Sequence, residues 1–309
     1  MLKEKTNKLH FRVLDNIWGY AFVLIPIIGL IVFVVIPLCM SVYASFTSWP
    51  LGQKIADAKV VGFKNYITMF NTPLFWKSLG NTFYYMIGLP IGLVLSIIYA
   101  ALMNRGTRYE NVFRVIYYTP VITSVVAVSF IFQRMFMTDG GTINTYLMSI
   151  GIKNPPNWLS HPGYTKWVII IMAVWKGLGS SILMYIAGMQ GISKTYYEAA
   201  KIDGAGWFFT FRKITFPLLM PVTFYLLVTG VIGGAQMYVE PRLIFTGNGP
   251  ANSTFTTVMH LYDNTFRNSK AGYGSAVAVV LGIIVFFVTA LQFYIHERGN
   301  RHEKAKANN

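Results

Sequence analysis

Six long runs almost free of charge constrain this chain more than any other feature. Residues 17–46, 81–103, 115–133, 216–239 and 273–295 contain no Asp, Glu, Lys or Arg, and residues 167–190 contain only Lys176. A helix needs about 20 mostly apolar residues to cross the hydrocarbon core of a bilayer. One such run can be the buried helix of a soluble protein, but six in a chain of 309 residues cannot. Charged residues make up 12% of the chain, about half the share usual in soluble domains. The runs therefore predict an all-α, polytopic transmembrane helical bundle of about six spans. The first run is too long for a cleavable signal peptide, and no small-residue cleavage site follows it. Pro26, Pro37, Pro90 and Pro120 fall inside runs and predict kinks, because each removes a helical hydrogen bond.

Orientation follows from Lys and Arg, which favour the cytoplasmic side. With an even number of spans both termini share a side. That side would hold Lys3, Lys5, Lys8, Arg12, Arg105, Arg108, Arg114, Lys194, Lys201, Arg212, Lys213, Arg298, Arg301, Lys304 and Lys306, against ten basic residues spread over three longer loops opposite. The expected organisation is a cytoplasmic N-terminal segment (1–16), a transmembrane domain (17–295) containing a cytoplasmic loop at 191–217, and a cytoplasmic tail (296–309). The external loops 47–80, 134–166 and 240–272 hold aromatic, Pro, Asn and Gly residues and read as ordered turns.

The net charge of +15 raises the question of nucleic acid. No recognition motif accompanies it, and the basic residues lie mostly between apolar runs, as expected of loops facing anionic lipid headgroups. No nucleic-acid partner is expected. The five His residues have no metal-ligand spacing with one another or with Cys39, so no metal site is expected. Cys39 lies in an apolar run and reads as a packing residue.

The most informative polar segment is 191–217, GISKTYYEAAKIDGAGWFFTFRKITFP. Thr195 and Glu198 are spaced as a capping box, which predicts a helix start at Thr195. A short helix through Ala199, Ala200 and Ile202 should end at the Asp203-Gly204 turn. The aromatic stretch Trp207 to Ile214 follows, and Phe216-Pro217 opens the next span. One reading is a hairpin lying at headgroup level, with Trp207, Phe208, Phe209 and Phe211 as anchors. The other is a docking element, in which small residues allow close approach and Glu198 offers a charge-assisted contact.

The spacing of this segment resembles the EAA motif of bacterial ABC importer permeases. Glu198-Ala199-Ala200 is followed at the family's intervals by Gly204, Ile214 and Phe216-Pro217, with Phe216 in place of Leu. Ser193 stands where the family often has Pro. Further stretches resemble the sugar-permease branch, the type of the maltose and multiple-sugar importers. These are Tyr43 to Thr47, Val61 to Tyr66, Asn157 to Ser160, Val174 to Gly177 and Thr246 to Pro250. The resemblance implies a type I ABC importer permease fold in a bacterial cytoplasmic (inner) membrane. It implies an ATPase-docking coupling helix built on Tyr197, Glu198, Ala199, Ala200, Asp203, Gly204, Ile214 and Pro217. It also implies a second, homologous permease, two ABC ATPase subunits, an extracytoplasmic sugar-binding protein and a carbohydrate substrate. The chain itself has no phosphate loop. No cofactor is therefore expected on it, with ATP and Mg on the partner ATPases. Gly177-Leu178-Gly179 reads as helix packing.

The resemblance places the substrate path along the fourth and fifth spans, where Trp175, Lys176, Ser180, Ser181, Gln236, Tyr238 and Glu240 supply polar and aromatic groups. Lys176 has two readings, as a pathway residue or as a cation pairing with backbone carbonyls or snorkelling. Tyr84 and Tyr85 read as interface anchors. The alternative function is an ion-gradient-driven secondary transporter. Such carriers usually bury acidic residues, and no span core here holds one. A membrane-embedded enzyme would need a catalytic cluster that the spans lack.

Overall fold

The computed structural model describes residues 19–104, 110–245 and 247–307, and for residues 110, 111 and 300–307 the backbone alone. The segment 1–16 with its four basic residues, Arg105 and Arg108, Thr246 and the last two residues of the tail lie outside the described residues. Among the described residues the chain is helical, without strands, and has two isolated antiparallel bridges, Thr47 to Val60 and Pro50 to Lys270.

The helices run in order as α1 (Gly19–Ser45), α2 (Lys64–Phe70), α3 (Pro73–Tyr85), α4 (Gly88–Met103), α5 (Glu110–Ile122), α6 (Val125–Met135), α7 (Thr142–Ser149), α8 (Pro162–Gln190) and α9 (Lys194–Ile202). After these come α10 (Trp207–Leu218), α11 (Met220–Ala235), α12 (Val239–Ile244), α13 (Thr257–Tyr262) and α14 (Ala271–Ala307). Among the described residues four helical stretches are long and apolar enough to cross a membrane: α1, α3 with α4, α8 and α14. The count reaches six if the bent pairs α5–α6 and α10–α11 each make one span.

The apolar run 115–133 is not one straight helix. It bends by 100° between Ile122 and Val125. The run 216–239 bends by 60° between Leu218 and Met220, where α10 meets α11. The second run also begins earlier than its hydropathy suggests, at Pro73. Ser78, Asn81 and Thr82 in this extension are polar but buried. The Asn81 amide donates to the carbonyls of Asn252 and Phe255 at 3.0 and 2.9 Å, and Thr82 Oγ1 lies 3.1 Å from Thr257 Oγ1. Polar groups satisfied in this way can be buried, but a hydropathy count reads them as loop. Pro90 sits in the first turn of α4, just after the break at Met86 and Ile87 that parts it from α3. Cys39 is exposed and is not part of the buried core of the described residues.

The chain divides into two compact units. One comprises the residues up to Met69 together with Asn264–Val279. In it Asn65 donates to the carbonyls of Ser45 and Thr47, both at 2.8 Å, and Ser45 Oγ lies 2.6 Å from the Tyr66 hydroxyl. The stretches Tyr43 to Thr47 and Val61 to Tyr66 are thus one packed corner. The other unit comprises Phe70–Asp263 and Val280–Asn309, with α8 at its centre. The α8 residues Val168, Ile169 and Met172 pack with Phe132 of α6 and Phe136 just after it. Further along α8, Ile182, Tyr185 and Met189 pack with Leu93, Ile97 and Ala100 of α4.

In lipid such contacts gain little from the hydrophobic effect, since acyl chains are as apolar as leucine, and close fit carries the association. Gly179 shows how close that fit is. A Cβ there would run into the Tyr117 carbonyl of α5. Gly179→Val should therefore force α5 and α8 apart and cost about 1–3 kcal/mol, as overpacking does. A lower thermal midpoint of the detergent-solubilised protein is the expected reading, and an unchanged midpoint would show that the two helices can separate freely.

Candidate functional site: the loop after α8 and a glycine-lined cavity

The loop after α8 folds around its own caps. Ser193 is the N-cap of α9, and its side chain accepts from Thr195 N at 3.4 Å. The capping box of Thr195 and Glu198 does not form. Thr195 is the second residue of the helix, and the first turn contains no acidic residue. Two hydroxyl residues compete for the cap here, and the earlier one adds helical residues at the N-terminus. Glu198 is thereby released from capping and stands exposed in mid-helix.

The C-terminus closes in a Schellman arrangement. Ala205 N donates to Ala200 O at 2.9 Å and Gly204 N to Lys201 O at 3.1 Å. Gly204 has φ +72°, the left-handed region, and a Cβ added there would meet no neighbour within 4 Å. Glycine is required by the backbone, not by crowding. In α10 residues Phe211–Thr215 form a π-helical turn. Trp207, Phe208 and Phe209 are exposed, and the Trp207 and Phe211 rings stack at 5.7 Å.

Between α9 and the start of α10 lies an open groove of 1040 Å³. Of the residues singled out in the sequence, Ala199, Ala200, Asp203, Gly204 and Ile214 line it, while Tyr197, Glu198 and Pro217 do not. Tyr197 turns inward instead, its hydroxyl 3.2 Å from Thr215 Oγ1. It ties α9 to the π turn. Tyr196 and Phe209 line the groove as well. Tyr196 was legible, since 196, 199 and 203 fall on one helical face.

The second feature is a cavity of 320 Å³ between α4, α8 and α11. Six glycines line it: Gly88, Gly92, Gly177, Gly230, Gly233 and Gly234. From the proposed path, Lys176, Ser181 and Glu240 reach it. The other four do not. Trp175 packs toward Phe132 with ring centroids 5.7 Å apart. Ser180 Oγ donates to Gly177 O at 3.0 Å. Gln236 is exposed at the end of α11, and the Tyr238 ring lies 5.0 Å from that of Tyr262. Tyr85 is buried in the cavity wall and does not anchor the chain at an interface. Of the Gly177-Leu178-Gly179 set, Gly179 serves packing and Gly177 opens onto the cavity.

Lys176 stands between the cavity and the end of α5. It lines the cavity, and its ammonium donates to Pro120 O at 3.1 Å and Thr123 O at 2.8 Å. Those carbonyls sit at the end of α5, where the helix stops and the chain turns sharply into α6. Carbonyls at a helix end lack intrahelical donors, and the lysine supplies them. Beyond the C-terminal end of α11, Arg242 pairs with Asp263 at 2.7 Å. Arg242 also reaches Asn248 at 3.5 Å, inside a turn whose Gly247 and Gly249 both take positive φ.

Residues 88–301 match the family described as binding-protein-dependent transport system inner membrane component. The chain belongs to this family. A lactose transport system permease protein, LacF of Rhizobium radiobacter, is 35% identical over 94% of this chain and 97% of its own. An arabinooligosaccharides transport system permease protein, AraP of Bacillus subtilis, is 31% identical over 88% and 86%. Among solved structures, a bacterial alginate ABC transporter in complex with an alginate pentasaccharide-bound periplasmic protein contains a chain of the same fold. Its TM-score is 0.81 at 20% identity, over 93% of this chain and 96% of that one. This permease is a multi-pass membrane subunit of an ABC transport system, not an enzyme. Membership of the family removes the ion-gradient alternative.

Proposed function

We propose that this permease carries a carbohydrate inward, delivered by an extracytoplasmic binding protein, and that α9 docks on one of two ATPase subunits. Its termini and the loop 191–217 are cytoplasmic, it pairs with a second permease, and it binds no nucleotide itself, ATP and Mg being held by the ATPases. The relatives named above handle lactose and arabinooligosaccharides, which supports a sugar as cargo. The cavity of Lys176, Ser181 and Glu240 is the best candidate for a step along the path, with six glycines leaving room for a ring.

One observation carries the docking assignment. A nine-residue helix, capped at both ends by its own loop, stands beside an open groove lined by Ala199 and Gly204. A partner helix or loop could approach its backbone there. Glu198 tests the electrostatic part cleanly, because it caps nothing. Glu198→Gln keeps shape and removes charge. Its ATPase subunits should co-purify several-fold less well, and ATP-driven uptake into proteoliposomes should fall in proportion. Assembly and uptake equal to wild type would mean that docking does not use this charge. Uptake that persists without any ATPase subunit would sink the reading as a whole.

A further inference from the structure

One turn outward of the glycine-lined cavity sits a basic and aromatic cluster that nothing above uses. The Lys166 ammonium lies over the Tyr84 ring, 4.6 Å from its centroid. Trp167 meets Tyr84 edge to face at 6.1 Å and is 38% exposed. Lys77 is exposed, two turns before Tyr84 on the same face of α3, and its charge bears on that of Lys166. Among the described residues neither lysine makes an ion pair or donates a hydrogen bond.

The register links the cluster to the cavity. Gly88, in the cavity wall, packs against Ile170 and Val174 of α8. Tyr84 precedes Gly88 by four residues, and Trp167 precedes Ile170 by three and Val174 by seven. The intervals on α8 return to one helical face, so Trp167 lies on the face that meets Gly88, and Tyr85, next to Trp167's ring partner Tyr84, lines the cavity. The external loops are basic by sequence. The three external loops, with the span ends that flank them, carry ten Lys and Arg against four carboxylates, Asp57, Asp139, Glu240 and Asp263.

We propose that Lys77 and Lys166, with Tyr84 and Trp167, form a reception site for an acidic carbohydrate, one bearing a carboxylate or sulfonate. The inference rests on the sugar-import reading and narrows its substrate class. The exposed indole of Trp167 gives the apolar face of a sugar ring a surface to lie on. The lysines supply point charges to its acid group. Lys166 is held by Tyr84 through a cation–π contact, which fixes its position without using any of its donors.

The test uses the whole transporter with its ATPases and binding protein in proteoliposomes. The cargoes are trigalacturonate and oligoalginate on one side and maltotriose, lactose and arabinotriose on the other. ATP-driven uptake of an acidic cargo is expected. At saturating binding protein it should fall about tenfold in Lys77→Gln/Lys166→Gln, and Lys77→Arg/Lys166→Arg should keep most of it. Uptake of neutral cargoes alone would overturn the acidic site and leave the import reading standing. Uptake of no saccharide would bring down both. Acidic uptake that is indifferent to the double Gln substitution overturns the site, as does a loss shared equally by neutral cargoes. A loss reversed by raising the binding protein tenfold would reassign the lysines to docking that protein, and so overturns it too.

Discussion

Replacing Gly204 with valine should uncouple transport from ATP hydrolysis while leaving the spans folded. At φ +72° a β-branched residue is strained by about 1–3 kcal/mol. The cheapest relief is to open the two Schellman hydrogen bonds that end α9. The helix would then fray at Asp203 and Gly204, which line the groove. Asparagine tolerates the left-handed region better than other residues with a side chain, and no neighbour crowds the position. Gly204→Asn should therefore retain most coupling where Gly204→Val loses it. The measurement is cargo imported per ATP hydrolysed in the reconstituted transporter. Equal loss in both variants would move the requirement from the backbone to the fit of a partner in the groove.

Lys176→Met should destabilise the protein itself. Methionine matches the length of the lysine stem but donates nothing to Pro120 O and Thr123 O. Hydrogen bonds from charged donors are worth about 1.5–3 kcal/mol, and stranded buried acceptors carry a further penalty. A net loss of about 2–4 kcal/mol is expected, which lowers the thermal midpoint by roughly 3–6 °C for a chain of this size. Lys176→Arg keeps donors at the end of the stem and should recover part of it. If Lys176→Met melts with the wild type yet fails in uptake, the lysine serves the cavity and not the bend.

The sequence showed where apolar helices lie, because their length and lack of charge are set by the thickness of the bilayer. It did not show how they bend. Pro120 announces one missing hydrogen bond, but a turn of 100° depends on Lys176, 53 residues beyond Thr123 in the chain. The start of α3 at Pro73 was hidden for a related reason. Its polar residues are satisfied by Asn252, Phe255 and Thr257, some 170 residues away, and hydropathy counts side chains one at a time.

Around α9 the fixed spacing of small and acidic residues marked the right segment. The choice between Ser193 and Thr195 as cap was settled by the extent of the helix, which no single residue declares. The cavity was the least legible feature. A search for polar groups within spans finds Lys176 and Glu240 but passes over glycine, whose contribution is an absent side chain. Gly88 with Gly92, and Gly230 with Gly233 and Gly234, were the available signal. They gather small residues at helical spacing in spans otherwise filled with Leu, Ile and Val.

The contact between Lys176 and the end of α5 also bears on the order in which the spans can enter a bilayer. α1 needs nothing from the rest of the chain, since no residue in its most apolar 18-residue stretch is buried. α8 is different, because a lysine near the middle of a span costs about 2.5–3.5 kcal/mol on insertion. The carbonyls that relieve this cost belong to residues synthesised 53 to 56 positions earlier. The acceptors are thus already made when the donor emerges. A rearranged gene that translated α8 before α5 would offer the membrane an unanswered charge, and α8 would be the span to fail.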